Sequence, residues 1–237
     1  MSFPPEFLAA GVILIFGIII YLMILSSRRQ QNEQEYQLRQ LGFEPLETSP
    51  PELERRVEEL YQTSRSREID LWSVYHRRDL DGDQYLFNAA DTREESSELG
   101  SEVFGLISNQ LALPRFSLIT VPAFDRSSLI GGLMDKLLDS VMAYAEKHLG
   151  LRRIEFPDQP EMDDLVIVFG RDPDAVRDML DRVGTAALRN TDLPVQIAGS
   201  GDFLTVDFST ASSLNQAGQG LATSYQIFTQ ISRNFME

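Results

Sequence analysis

Hydrophobic and polar positions divide the chain into one long uncharged run and a remainder in which the two alternate. Residues 7–25 are 19 consecutive uncharged residues, and 13 of them are Ile, Leu, Val or Phe. A helix of this length covers about 28 Å, close to the hydrocarbon thickness of a bilayer. The run predicts a transmembrane helix in contact with the lipid bilayer, through Phe7, Leu8, Ile13, Phe16, Ile19, Leu22 and Leu25.

The flanks of this run predict its orientation. A cleaved signal peptide would have positive charge before a shorter run, whereas Glu6 is the only charged side chain before this one. Arg28 and Arg29 follow the run and act as a topology signal, because positive residues stay on the cytoplasmic side. The sequence therefore predicts a single-pass protein of the cell membrane, with its N-terminus outside and its soluble domain in the cytoplasm. The reversed topology, with an extracytoplasmic or lumenal domain, is left open.

Composition changes along the chain indicate three parts. Residues 1–29 are the transmembrane anchor with its flanks, and residues 30–48 are a juxtamembrane helical stalk and linker that breaks at Gly42. Residues 49–237 are a soluble domain. It starts with a helix that Ser49 caps, with Pro50 at its first position and Glu52 completing a capping box.

The soluble part then alternates with period two, which is typical of strands. Residues 69–76 and 85–87 form a predicted hairpin around the turn pair Asp81-Gly82. A second strand pair is expected at residues 102–111 and 115–121, and the acidic stretch 90–101 is expected to be a solvated loop.

Helices and strands alternate in the C-terminal half. A long amphipathic helix is predicted over residues 129–149, and the apolar run 165–169 predicts a central strand. Asp172-Pro173 begins another helix. A hairpin follows at residues 195–208, turning at residues 199–201, and residues 214–235 form the last helix.

These elements predict an α+β fold. Strands come in adjacent pairs with helices between them, which favours a mainly antiparallel sheet covered by helices on one face. Residues 69–149 and 152–237 each contain strands followed by a helix, so two similar lobes are left open as an alternative to one domain.

Composition limits the chemistry of the soluble part. The chain has a net charge of −15; residues 1–29 hold one acid and two bases, so the rest carries 35 acidic and 19 basic side chains. Phosphate backbones repel such a chain, and no nucleic-acid partner is expected. There is no cysteine, which excludes disulfides, thiolate nucleophiles and cysteine-ligated metals.

The candidate metal ligands are Asp79, Asp81 and Asp83. Carboxylates at alternating positions supply the hard oxygen ligands that Ca²⁺ and Mg²⁺ prefer. The calcium-loop pattern needs Gly at its sixth position and Glu at its twelfth, whereas Gly82 is fourth here and Ala90 is twelfth. Because Asp-Gly also suits a hairpin turn, the turn interpretation is favoured over the metal site.

Other chemistry-bearing residues favour structural roles. His76 and His148 are not tied to a nucleophile by any motif, so no catalytic residue is predicted. The Gly199–Gly201 segment joins two strands rather than a strand and a helix, and no cofactor site is expected there. Four aromatic residues at alternating strand positions are expected to pack in the core rather than line a pocket: Trp72, Tyr75, Tyr85 and Phe87.

Several short segments after the apolar run suggest a family. The chain resembles uncharacterised bacterial single-pass membrane-anchored proteins that carry a domain of unknown function. The segments are Gly42-Phe43-x-Pro45-Leu46, Val74–Arg77, Leu113-Pro114-Arg115-Phe116 and Val168–Leu180. The resemblance implies a bacterial membrane protein and transfers no catalytic residue.

These observations favour a non-enzymatic function. The sequence predicts that the acidic domain mediates protein–protein interaction in the assembly or regulation of a membrane complex, with no cofactor. The alternative is a membrane-tethered metal-dependent hydrolase or ion-responsive module that uses Asp79, Asp81 and Asp83.

Overall fold

The computed structural model describes residues 32–61, 69–91, 98–120, 150–159, 162, 165–184, 195–208 and 220–237. Contacts divide the chain into two units, Met1–Gly42 and Phe43–Glu237. In the first unit, residues 32–40 form helix α1, which is followed by Gly42 with a φ of +84°. The predicted stalk helix and its end at glycine are therefore present in the described part.

The second unit contains nine strands and three helices within the described ranges. In chain order they are β1 (Glu44–Pro45), α2 (Pro51–Tyr61), β2 (Ile69–Arg78), β3 (Asp83–Asp91), β4 (Glu98–Ile107), β5 (Leu113–Thr120), β6 (Arg152–Ile154), β7 (Val166–Gly170), α3 (Pro173–Val183), β8 (Gln196–Gly201), β9 (Phe203–Asp207) and α4 (Leu221–Met236).

All nine strands form one antiparallel sheet in the order β1-β2-β3-β4-β9-β8-β5-β7-β6. The hairpin β2–β3 confirms one local prediction. The predicted pairing of β8 with β9 is also present, but the turn lies at Asp202 and not at residues 199–201, which belong to β8. The predicted pairing of β4 with β5 is wrong, because β4 pairs with β9 while β5 lies between β8 and β7. The run 165–169 forms β7, which is next to the edge strand and not central.

Helices cover both faces of the sheet, whereas the sequence predicted one covered face. Helix α2 packs on one face, in a cluster with Phe87, Phe169 and Phe203. On the other face Phe104 stacks on Phe228 of α4 at 5.2 Å. Helix α3 lies on this same face, because a Cβ on Gly170 would meet a methyl of its Val176 at 2.7 Å. Most central strand positions are buried because both faces are covered.

The two-lobe arrangement is also wrong. Strands β2 to β5 come from residues 69–149, and strands β6 to β9 come from residues 152–237. The order of the sheet interleaves the two sets, since β9 and β8 lie between β4 and β5. The two segments therefore share one sheet.

The membrane-anchored architecture is corrected as well. Among the residues that the structure describes, no helix combines the length and apolar character needed to cross a bilayer. The longest of them, α4, has 16 residues, or about 24 Å, and carries Arg233. This finding contradicts the predicted fold class with a transmembrane helix, the single-pass description and the cell-membrane localisation. The predicted span over residues 7–25 and its signal Arg28-Arg29 lie outside the described residues.

Local sequence signals account for the helix starts, with two corrections. Asp172 caps α3, accepting hydrogen bonds from the backbone of Asp174 and Ala175 at 3.2 Å, as predicted. Helix α2 begins one residue later than expected, at Pro51, and Ser49 Oγ is buried with no hydrogen-bond partner in the described residues, so the predicted cap is not made. Helix α4 begins at Leu221, which places Gly220 before the helix rather than inside it. The predicted helix over residues 129–149 lies outside the described residues.

Candidate functional site

The turn between β2 and β3 is fixed by its own backbone. We call residues 79–82 the hairpin tip. The backbone N–H of Asp79 donates to the carbonyl of Gly82 at 3.1 Å, and the N–H of Asp81 donates to Asp79 Oδ1 at 2.9 Å. Gly82 has a φ of +140°, and a Cβ there would lie 2.3 Å from the carbonyl oxygen of Ile107. Glycine is required at this position, because the turn is pressed against the end of β4.

Four side chains connect this tip to helix α4 in a closed ring, which we call the polar ring. Asp79 Oδ2 accepts from Gln84 Nε2 at 2.9 Å, and Gln84 Oε1 accepts from the hydroxyl of Tyr225 at 2.8 Å. Arg77 closes the ring, since its Nη1 donates to Tyr225 Oη at 2.8 Å and its Nη2 lies 3.6 Å from Asp79 Oδ2. Gln84 is only 3% exposed. The ring satisfies a buried amide and ties the hairpin to a helix 141 residues later in the chain.

Aromatic packing holds Tyr225 in place. Its ring meets Phe43 edge-to-face at 5.4 Å, and the Arg77 guanidinium lies 5.5 Å from the ring centroid, within range of a cation–π contact. Burial raises the pKa of Tyr225 above 10.0, while the nearby charge of Arg77 acts in the opposite direction. The hydroxyl therefore stays protonated at neutral pH and can donate to Gln84.

The opposite face of the hairpin carries a second group of polar side chains. His76 Nε2 lies 2.8 Å from Asp83 Oδ1, and Arg78 Nε is 4.0 Å from the same oxygen. The His76 ring lies 4.9 Å from the ring of Tyr85. Burial, followed by the negative charges of Asp83 and Glu52, raises the pKa of Tyr85 to about 12. Asp83 therefore lies beside the His76 imidazole and the Arg78 guanidinium.

The predicted metal ligands lie in one turn but have different partners. Arg77 and His76 are neighbours on β2, so their side chains point to opposite faces of the sheet. Arg77 pairs with Gln84 and His76 pairs with Tyr85, and the carboxylates that they contact therefore lie on opposite faces. Asp79 belongs to the polar ring, whereas Asp83 contacts His76. Within the described ranges, no three or more His, Cys, Asp or Glu side chains form a group that could hold a metal ion.

Leu80 is the unusual residue of the tip. Its side chain is 98% exposed, and it stands between Asp79 and Asp81 at the end of the hairpin. Turn positions usually carry polar residues or glycine, and at 98% exposure this leucine adds no buried area to the hairpin. The tip presents one apolar side chain flanked by carboxylates, on a turn held by hydrogen bonds of its backbone and of Asp79.

Sequence reasoning identified the turn but missed Leu80 and Tyr225. A leucine between the aspartates of an Asp-Gly hairpin is the signal that could have pointed to Leu80. Nothing local connects Tyr225 with the hairpin, because its partners are far away in sequence.

The predicted aromatic group is divided by the structure. Tyr85 and Phe87 are 6% and 1% exposed and belong to the core, which confirms the structural interpretation for these two residues. Trp72 is 39% exposed on β2. The other candidate histidine, His148, lies outside the described residues.

Comparisons with known proteins assign no family. No protein-family model matches the chain, and no curated protein matches it. Among solved structures, the chain is similar to the crystal structure of the mycobacterial trehalose monomycolate transport factor A, TtfA, with a TM-score of 0.47 and 10% sequence identity. The similarity covers 86% of this chain and 90% of that chain. A likeness at this level carries no argument about this chain, and the resemblance to bacterial membrane-anchored proteins stays a prediction.

Proposed function

We propose that this chain is a protein-binding domain that docks on its partner through the hairpin tip. The observation that carries the proposal is the fully exposed Leu80, held on a turn that its own hydrogen bonds and the polar ring keep rigid. A rigid support lowers the ordering cost of binding, because the anchor side chain does not have to be fixed at the moment of contact. The partner would bury Leu80 in an apolar pocket.

The negative charges next to Leu80 indicate which residues should border that pocket. Asp79 and Asp81 flank Leu80, and the whole chain has a net charge of −15. A pocket bordered by Lys or Arg would complement these carboxylates, and a basic partner would be attracted from a distance. Binding is therefore expected to weaken as ionic strength rises.

The size of the anchor contribution follows from its burial. Removing a leucine side chain from water contributes about 1.5–3 kcal/mol, which corresponds to roughly 10- to 100-fold in affinity. Replacing Leu80 by serine should remove most of this contribution. It should leave the fold intact, since the side chain makes no core contact at 98% exposure.

The test is quantitative affinity enrichment from an extract of the source cells, with full-length protein tagged at Glu237. Wild type, Leu80→Ser, Leu80→Met and Tyr36→Ser are compared. Tyr36 is 63% exposed and serves as the matched control for the loss of an exposed apolar side chain. We expect the same partner with wild type, Leu80→Met and Tyr36→Ser, and its loss with Leu80→Ser. Equal enrichment with Leu80→Ser at unchanged thermal stability would refute the proposal.

The alternative of a metal-dependent hydrolase or ion-responsive module is not favoured by any observation on the described residues. Asp79 and Asp83 already contact Arg77, Gln84 and His76. It stays a prediction.

A further inference from the structure

The two edges of the sheet differ in how they are covered. The edge strand β6 has three residues, and two of them, Arg152 and Arg153, are exposed. Short strands and charged side chains are the usual protection of a sheet edge against pairing with another chain. The opposite edge is formed by the two residues of β1, which pair with Tyr75 and His76 of β2.

Most of β2 extends beyond this short cover. The Leu46 N–H donates to the Val74 carbonyl at 2.8 Å, one residue beyond the pairing of β1 with Tyr75 and His76. In the described part of the chain, no strand pairs with the outer side of residues 69–73. The inner side pairs with β3 from Ile69 to Trp72. Alternate N–H and C=O groups of this segment therefore point away from the sheet and can accept an added strand.

The open segment carries features of a binding surface. Trp72 is 39% exposed, and Asp70 beside it is exposed. Tryptophan is enriched among the residues that dominate binding energy. The register shifts between Trp72 and Tyr75, where Ser73 has a φ of +53°. This bulge separates the open segment from the part of β2 that β1 covers.

The negative charge of this chain indicates which kind of strand can pair with residues 69–73. A second copy of this chain would bring another net charge of −15 and a second Asp70 to the same edge, so self-pairing is opposed by repulsion. A segment with Lys or Arg at alternate positions would neutralise Asp70, and one such side chain can lie on the face of Trp72. We propose that the outer edge of β2, residues 69–73, binds an extended basic segment of a partner protein as an additional strand.

The position of the tryptophan gives a direct test. Trp72 is the only tryptophan of the chain, so intrinsic fluorescence reports on this edge alone. The full-length protein is titrated with a peptide of alternating valine and lysine. Two control peptides are used: one has the same composition with a proline inserted at its centre, and the other has glutamate in place of lysine. We expect a saturable shift of the Trp72 emission with the valine–lysine peptide only, and slower hydrogen exchange at the amides of residues 69–73.

Two charge-reversed variants separate the local contact from net charge. Asp70→Lys and Asp178→Lys change the net charge equally, and Asp178 is an exposed residue of α3. Asp70→Lys should weaken peptide binding by at least about fivefold, while Asp178→Lys should bind like wild type. An equal response to the proline peptide, equal weakening by both variants, or no emission change with the valine–lysine peptide would overturn the proposal.

The hairpin tip is tested independently. Leu80→Ser should bind the valine–lysine peptide like wild type, because the tip is at the other end of β2. Failure of the peptide titration therefore leaves the proposal for Leu80 standing, and the converse also holds. Loss of peptide binding in Leu80→Ser would show that the peptide binds at the tip and would overturn the edge proposal.

Discussion

Replacing Tyr225 by phenylalanine removes one oxygen atom from the polar ring and leaves the aromatic side chain in place. The hydroxyl donates to Gln84 Oε1 and accepts from Arg77 Nη1, both at 2.8 Å. Gln84 is 3% exposed, so its amide oxygen cannot exchange the lost bond for one to bulk water. The Arg77 side chain is 30% exposed and can turn to solvent or to Asp79. We therefore expect the effect at Gln84 to dominate.

The magnitude follows from this difference. A buried acceptor left without a partner costs about 1–3 kcal/mol, and the partly exposed Arg77 adds little. The expected loss in the free energy of unfolding is about 2 kcal/mol. For a unit of the size of Phe43–Glu237, this corresponds to a decrease of about 4–8 °C in Tm.

The assay is urea unfolding followed by far-UV circular dichroism and by Trp72 fluorescence, together with thermal unfolding. Tyr36→Phe is the control, because the Tyr36 side chain is 63% exposed and removal of its hydroxyl should change stability by less than about 0.5 kcal/mol. The two probes should give the same midpoint if the unit unfolds in one transition.

A double-mutant cycle with Gln84→Leu separates the ring from nonspecific damage. When both Tyr225 and Gln84 become apolar, no acceptor is left unsatisfied between them, so the double variant should lose less stability than the sum of the two single variants. Asp79 keeps Arg77 as a neighbour in all of them. A loss below about 0.5 kcal/mol for Tyr225→Phe, or strict additivity in the cycle, would refute the reasoning.

Three further perturbations test other parts of the structure. The pKa of Tyr85 is raised from 10.0 to about 12, so the folded chain keeps a proton that the unfolded chain releases. The contribution of Tyr85 to the free energy of unfolding should fall by roughly 2–3 kcal/mol as pH rises from 10 to 12, so the decrease measured by urea unfolding should be smaller by this amount in Tyr85→Phe; an identical decrease in both proteins would contradict the assignment. Gly82→Ala places a Cβ 2.3 Å from the carbonyl of Ile107 at a φ of +140°, and should lower the free energy of unfolding by about 2–4 kcal/mol; an unchanged urea midpoint would contradict this. Asp202→Asn removes the charge that Arg56 Nη2 contacts at 2.5 Å; the Asp202 side chain is 32% exposed and that of Arg56 is 19% exposed. The free energy of unfolding should fall by about 1–2 kcal/mol. A double-mutant cycle with Arg56→Gln that shows no coupling would exclude the ion pair as the cause.

Local signals in the sequence were sufficient for part of the fold and of the site. The Asp81-Gly82 pair sets the β2–β3 hairpin, and the Asp172-Pro173 pair sets the start of α3. Each signal acts within a few residues, because turn dihedrals and helix caps depend on neighbouring backbone groups. The local signal at Ser49 gave a wrong prediction, because the helix begins one residue later and Ser49 does not cap it.

Strand pairing between distant segments followed no local signal. The sequence paired β4 with β5 because they are neighbours in the chain, whereas β4 pairs with β9, about a hundred residues later. The solvated loop expected over residues 90–101 is also wrong at its ends, because β3 continues to Asp91 and β4 begins at Glu98. Polar residues next to a loop can be part of a strand when the two strands of the hairpin stay paired up to that point.

The acidic character, the absence of cysteine chemistry, the strands of each hairpin and the turn near Asp79, Asp81 and Asp83 could all be predicted from the sequence. These properties depend on composition or on contacts between near neighbours. Three features could be seen only in the folded protein: the sheet is single and covered on both faces, Tyr225 closes a ring with the hairpin, and Leu80 is exposed at the end of the hairpin. The reason is that burial and long-range hydrogen bonds depend on which distant segments are brought together, and the hydrophobic pattern of one segment is compatible with many partners.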